Sequence, residues 1–216
     1  MDVMQVFGSN EFFQWMGKNW LELFGTATML LYIWLEIKQK PVMWVVGFIS
    51  SFVYIFVFFQ SKMYGYTVLY IYYVAVSIYG WCSWRYTQQP DGTVAELKIS
   101  RIRISSVFVL SAIFVVLYIG SAHALERFTD SPVPYYDALG TSISIIATWL
   151  LARKIIEHWV LWIFVNFFSA VLFFFRGLYP TAGLFVVYGI MSVAGWFQWK
   201  RSVTQRHEDA KNMIIP

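Results

Sequence analysis

The hydrophobic positions of this chain fall into seven long blocks separated by short polar segments, at about 20–37, 42–60, 66–84, 104–124, 135–151, 159–175 and 179–199. Each block approaches the roughly 20 apolar residues that a helix needs to cross a bilayer. The pattern therefore predicts seven transmembrane helices. Inside the windows 23–35, 42–61, 63–84, 104–122, 138–152, 160–175 and 177–199 there is no Asp, Glu, Lys or Arg, and Arg176 stands just outside one of them. Polar positions inside these windows are uncharged: Thr26, Thr28, Ser51, Tyr73 and Ser77 early in the chain, then Thr141, Ser142, Ser144, Asn166, Tyr188 and Ser192.

The blocks repeat. Residues 22–85 lie over residues 137–200 at a constant offset of 115 without a gap, with 16 identities in 64 positions. Gly25-Thr26 falls on Gly140-Thr141, Trp34-Leu35 on Trp149-Leu150 and Trp44-Val45 on Trp159-Val160. The closing Gly80-Trp81-x-x-Trp84 falls on Gly195-Trp196-x-x-Trp199. Internal duplication of a hydrophobic unit points to secondary transporters, whose site lies between the copies. Each copy holds three spans, an odd number, and the fourth span has no counterpart. That span restores the direction of entry, so the two copies run the same way. The predicted fold is an all-α integral membrane protein of seven transmembrane helices, two parallel three-helix repeats joined by a connector helix. The expected divisions are an outer interfacial segment at 1–19, a first repeat at 20–86, a linker with the connector at 87–134, a second repeat at 135–200 and a tail at 201–216.

Composition agrees. The chain of 216 residues is 59% hydrophobic and 13% charged, against about 25% charged in soluble domains. Cys82 is the single cysteine, which excludes an internal disulfide framework. Residues 1–18 lack a basic start followed by an apolar core, so no cleavable signal is expected. Four Lys and Arg (Lys18, Lys62, Arg127, Arg176) fall on one set of ends and twelve on the other. The positive-inside rule then predicts the N-terminus outside and the C-terminus inside. Trp34, Trp44, Trp81, Trp84, Trp149, Trp159, Trp196 and Trp199 gather at the inner ends, as an interfacial belt would. Residues 5–18, with Phe7, Phe12, Phe13, Trp15 and Met16, read as an amphipathic stretch on the outer surface.

Uncharged spans argue against a proton relay, a voltage sensor or an ion-coupled pump, which keep an ionisable group at depth. Lys200 stands at a helix end and cannot serve a buried Schiff base. His123, His158 and His207 are scattered and form no cluster for hydrolysis. No catalytic residue, metal site, cofactor or nucleic-acid partner is expected. A passive facilitator is the economical reading, and a non-transporting receptor or scaffold is the alternative of a different class. Most Ser and Thr hydroxyls most simply serve helix packing. Asn166 differs, because an amide at mid-span leaves up to four hydrogen-bonding positions to satisfy. With Trp159 and Trp162 it falls at i, i+3 and i+7, on one helical face. The equivalents in the first copy are Trp44, Gly47 and Ser51. Residues shared by both copies serve the scaffold, whereas Asn166 against Ser51 and Trp162 against Gly47 break the symmetry and are free to recognise an asymmetric ligand. Tyr73 and Tyr188 could close the site or pack. Glu22 and Asp137 mark equivalent helix starts, where a carboxylate either complements the helix dipole or attracts a cation.

The run Pro134-x-x-Asp137, followed by Arg153-Lys154-x-x-Glu157-x-Trp159-x-x-Trp162-x-x-x-Asn166, resembles the second half of the PnuC nicotinamide riboside transporters. Ile78-Tyr79-Gly80-Trp81-x-x-Trp84 resembles the end of their first half. The resemblance covers about residues 20–200. It implies a fold similar in layout to the SWEET sugar transporters, a homotrimer in the bacterial inner membrane, and facilitated uptake of nicotinamide riboside with trapping by intracellular kinases. Carriers of thiamine or another vitamin, or of a sugar, share the scaffold. The substrate-binding set expected is Asn166, Trp162, Trp159, Ser51, Tyr73, Tyr188, Asp137 and Thr141, and the partners are the bilayer and nicotinamide riboside.

Overall fold

The apolar blocks become helices, and their ends are set by local chemistry. The computed structural model describes residues 20–60, 64–88, 94–129 and 133–212, together with Gln14 and Gly17. Seven helices follow: α1 (Trp20–Ile37), α2 (Met43–Gln60), α3 (Tyr64–Arg85), α4 (Ile104–Phe128), α5 (Pro134–Ala152), α6 (His158–Phe175) and α7 (Tyr179–Asn212). The expected outer stretch at 5–18 lies almost wholly outside the described residues, as do Lys62 and the side chain of Glu22.

α1 and α5 stop in the same way. At the end of α1, Gln39 turns left-handed (φ 55°), its N–H bonds the Glu36 carbonyl at 2.9 Å, and the Lys40 N–H bonds the Leu35 carbonyl at 2.9 Å. At the end of α5, Lys154 turns left-handed (φ 54°), with Lys154 N–H to Leu151 at 2.8 Å and Ile155 N–H to Leu150 at 2.9 Å. This pair of bonds is a Schellman stop. It usually needs Gly or Asn at the left-handed position, yet both copies use a long polar side chain there. Gly177 (φ 74°) ends α6 by the same pattern.

α1 packs on α2 and α2 on α3; α5 packs on α6 and α6 on α7. The two sets meet where α1 crosses α7 and where α3 crosses α5, while α4 lies against α5. A short hairpin of β1 (Thr87–Gln88) and β2 (Val94–Ala95) occupies the segment before α4. A bridge from Ser100 to Ile155 and a bond from Ile102 N–H to Glu157 Oε2 at 3.0 Å fasten that segment to the α5–α6 turn.

The tightest core lies at one end of the bundle, where α1 and α5 finish. It joins Leu35, Met43, Trp44, Val76, Trp84, Leu151, Ala152, Ile156, Trp159 and Trp199. Four tryptophans expected in an interfacial belt are therefore buried: Trp44, Trp84, Trp159 and Trp199 are at most 1% exposed, whereas Trp34 is 51% exposed. For Trp84 and Trp199 the reason is that helix ends leave carbonyls without partners, whereas the Trp44 and Trp159 rings fill the core with their indole N–H groups unpaired. Trp84 Nε1 donates to the Leu151 carbonyl at 3.3 Å and Trp199 Nε1 to the Glu36 carbonyl at 3.0 Å.

Large apolar side chains cover the outside, including Ile104, Phe108 and Val116 on α4. Among the described residues, Ile104–Phe128, His158–Phe175 and Tyr179–Gln205 are long and apolar enough to cross a membrane, and Leu23–Ile37 and Met43–Val57 are shorter apolar runs. α3 and α5 are in neither group, because tyrosines dilute the hydropathy of α3 and Pro134, Asp137 and several hydroxyl residues that of α5. The last helix runs 13 residues past the expected end at 199, since polar residues end a membrane span without ending a helix.

Candidate functional site

The symmetry-breaking face of α6 is where the structure builds a polar centre. Asn166 is 3% exposed. Its Nδ2 donates to Ser192 Oγ of α7 at 3.1 Å, and Ser192 Oγ donates to the Tyr188 carbonyl at 2.8 Å. The serine fixes the amide, because its own proton is committed one turn back along α7. The second N–H and the carbonyl oxygen of Asn166 have no hydrogen-bond partner among the described residues, although a buried amide has up to four positions to fill. One turn earlier on α6, the Trp162 indole N–H is buried and unpaired. A flat ring with a free donor and an amide with free positions thus stand on the same face.

The first copy lacks this feature for a packing reason. At Gly47, the equivalent of Trp162, an added Cβ would stand 2.9 Å from Tyr32 Cε2 and 3.3 Å from Ser77 Oγ. Ala147, buried completely, occupies in the second copy the position of Tyr32 in the first. The large ring therefore comes from the first helix of one copy and from the second helix of the other.

The remaining expected residues are spread over several helices. Tyr188, 5% exposed, lies edge-on to Phe185 with centroids 5.8 Å apart. Tyr73 lies beside Ser144 where α3 meets α5, and its neighbour Tyr72 donates to the Ile145 carbonyl at 2.8 Å. Ser51 is buried in α2, while Thr141 is half-buried in α5. Asp137 sits in the first turn of α5, half-buried and with interactions of its own. Trp159, two turns from Asn166, is roughly 10 Å away along the axis. It belongs to the tryptophan core, with Trp199 at 5.8 Å and the backbone of Gly195 directly against its ring.

Sequence reasoning missed one pair. Glu36 and His158 are 2% and 0% exposed, and Glu36 Oε1 meets His158 Nε2 at 3.0 Å. The windows hold no Asp, Glu, Lys or Arg, and the expectation that none is buried fails one residue beyond the first. Each residue alone reads as interfacial, and 122 positions separate them. The available signal was the repeat itself: the equivalents of Glu36 and His158 are Leu151 and Met43. Among the described residues no His, Cys, Asp or Glu cluster could hold a metal.

A bundle with an apolar outside and an uncharged polar centre between its helices is the construction of a membrane transporter, and comparison with known proteins places it in one group. The chain belongs to the nicotinamide mononucleotide transporter family, whose sequence model matches residues 19–201. The nicotinamide riboside transporter PnuC of Escherichia coli (strain K12) is 26% identical over 212 residues, covering 87% of this chain and 88% of that protein. The riboflavin/roseoflavin transporter RibM of Streptomyces davaonensis is 24% identical over 184 residues, covering 83% of this chain and 84% of the other. A crystal structure of the vitamin B3 transporter PnuC superposes with a TM-score of 0.67 at 26% identity, covering 89% of this chain and 86% of that one.

Proposed function

We propose that this chain carries nicotinamide riboside across the bacterial inner membrane by facilitated diffusion, as a uniporter, with intracellular phosphorylation trapping the product. The observation that carries this reading is the centre formed by Asn166, Ser192 and the unpaired Trp162 indole in a chain of this family. Nicotinamide riboside is a flat cation bearing a carboxamide and a ribose. An aromatic face suits the ring, the free positions of Asn166 suit the carboxamide, and Tyr and Ser hydroxyls suit the sugar. Recognition of a phosphate calls for Arg or Lys, and none falls inside the span windows. That argues for the riboside over the mononucleotide.

The moving parts in this proposal are two parallel three-helix repeats, α1–α3 and α5–α7, joined by α4. Supporting it are the matching tryptophan bonds to Leu151 and Glu36, the matching contacts of Gly80 with Trp44 and Gly195 with Trp159, and the matching stops of α1 and α5. The N-terminus lies outside and the C-terminus inside, on the strength of the twelve-to-four distribution of Lys and Arg. A homotrimer is part of the same proposal and rests on the family resemblance.

Carriage of riboflavin is the second reading, favoured by the likeness to RibM. Purified protein in kinase-free liposomes distinguishes them. Labelled nicotinamide riboside should enter in proportion to protein, and excess unlabelled riboside should compete where nicotinamide mononucleotide and riboflavin do not. Competition by riboflavin alone would transfer the assignment to the flavin.

A further inference from the structure

The Glu36–His158 pair joins the last turn of α1 to the first turn of α6, and its protons can be counted. His158 Nδ1 stands 2.6 Å from the Ile155 carbonyl oxygen. A carbonyl only accepts, so Nδ1 carries a hydrogen. Nε2 then faces Glu36 Oε1 at 3.0 Å, and one proton must lie between them, on either the imidazole or the carboxyl group. Without it a lone pair would face a carboxylate in a place closed to water, an arrangement that costs too much to persist.

The other copy shows that this position does not require polarity. Leu151 and Met43, the equivalents of Glu36 and His158, are each 0% exposed within the same core. Replacing a buried ion pair by apolar residues is often neutral or stabilising, so the pair does something other than hold the fold. Its location indicates what. The His158 ring lies 4.7 Å from Trp159 and 4.8 Å from Trp199, about 12 Å along α6 from Asn166. Beyond this layer is a cavity of about 540 Å³ lined by Lys38, Gln39, Lys40, Glu96, Lys98 and Lys154. Along the chain the pair stands between the helix-end turns that line this cavity, Lys38–Lys40 and Lys154, and the polar centre further along α6.

We propose that Glu36 and His158 form a proton-held latch on the gate at this end of the bundle, an inference that rests on reading the chain as a transporter. Parting the two repeats here breaks the bridge, and loss of its proton to the cavity releases it. Around the pair, α1 contributes Tyr32 one turn back, α2 contributes Met43 and Trp44, and α7 contributes Trp199; Lys154 directs its ammonium onto the Trp84 ring at 4.5 Å. The proton leaves to and returns from the same cavity, so the latch sets a rate and carries no proton across.

The test is a distance measurement on full-length protein in lipid nanodiscs without substrate. Spin labels go on Lys40→Cys and Arg153→Cys, both exposed, in a Cys82→Ser background. Between about pH 5 and about pH 9 the parent should pass from one short distance to a mixture in which a longer one grows several-fold. The double variant Glu36→Leu with His158→Met copies the apolar pair of the other copy and should show one distribution at every pH. Glu36→Gln, whose amide N–H can bridge to Nε2 without a removable proton, should stay short throughout. An unchanging parent distribution, or either variant following pH as the parent does, overturns the latch. Because no substrate is present, a failure to transport nicotinamide riboside would withdraw the substrate reading and leave this result standing.

Discussion

Trp84 and Trp199 lie ring against ring, centroids 5.9 Å apart, each with its indole N–H bonded to the final turn of the opposite set of helices. Trp84 of α3 reaches Leu151 of α5, and Trp199 of α7 reaches Glu36 of α1. The exchange is reciprocal and fills carbonyls that the helix ends leave free.

Equal bonds should have equal worth. Trp84→Phe and Trp199→Phe each keep an aromatic ring and remove the donor, at about 0.5–1.5 kcal/mol for a buried hydrogen bond. Thermal unfolding in one detergent should show two similar drops in melting temperature. A large loss for one variant and none for the other would contradict the symmetry.

Recognition should depend on α6 far more than on α2. Asn166→Ala removes a hydrogen-bonding partner from a dry site, at about 1–3 kcal/mol, or roughly five- to 150-fold in affinity. Trp162→Phe keeps the face, removes the free N–H, and should weaken binding less than Trp162→Ala. Ser51→Ala should change little. Calorimetry with nicotinamide riboside on folded variants reads each value, and full-strength binding by Asn166→Ala would remove that residue from the site.

Uptake should equalise and go no further. The span windows hold no Asp, Glu, Lys or Arg, and a proton exchanged with one side only does no transport work. In kinase-free liposomes the plateau should be the same with or without proton and sodium gradients, even where pH alters the initial rate. Accumulation above the outside concentration would show coupling.

Topology can be read by reporters. A fluorescent protein that matures only in the cytoplasm should light when fused after Pro216 and stay dark when fused after Lys62. The reverse pair of results inverts the orientation derived from the twelve inner and four outer cations.

Much of the bundle was legible in the chain because a bilayer filters helices by length and polarity. The first span was expected at 20–37, where α1 runs Trp20–Ile37, and the sixth at 159–175, where α6 runs His158–Phe175. The hairpin at Thr87–Gln88 and Val94–Ala95 was not foreseen, since two-residue strands carry no pattern. Asn166 and Trp162 stood out by comparing the copies; that their face also holds an unpaired indole required coordinates. Trp84 and Trp199 misled because tryptophan at a helix end suits lipid headgroups and free carbonyls equally well, and sequence does not say which is near. Glu36 and His158 were hidden by distance along the chain, and by the habit of reading any charge at a span's edge as wet.

If α1–α3 and α5–α7 are the two repeats proposed above, their covalent linkage through α4 has an evolutionary consequence. In a bundle made from two identical three-helix chains, every substitution would appear on both sides of the axis. A carboxylate at the end of the first helix would arrive with a second carboxylate, and an imidazole with a second imidazole. One chain frees each side to vary alone. The Glu36–His158 bridge on one side and Leu151 with Met43 on the other are a combination that separate identical subunits could not encode.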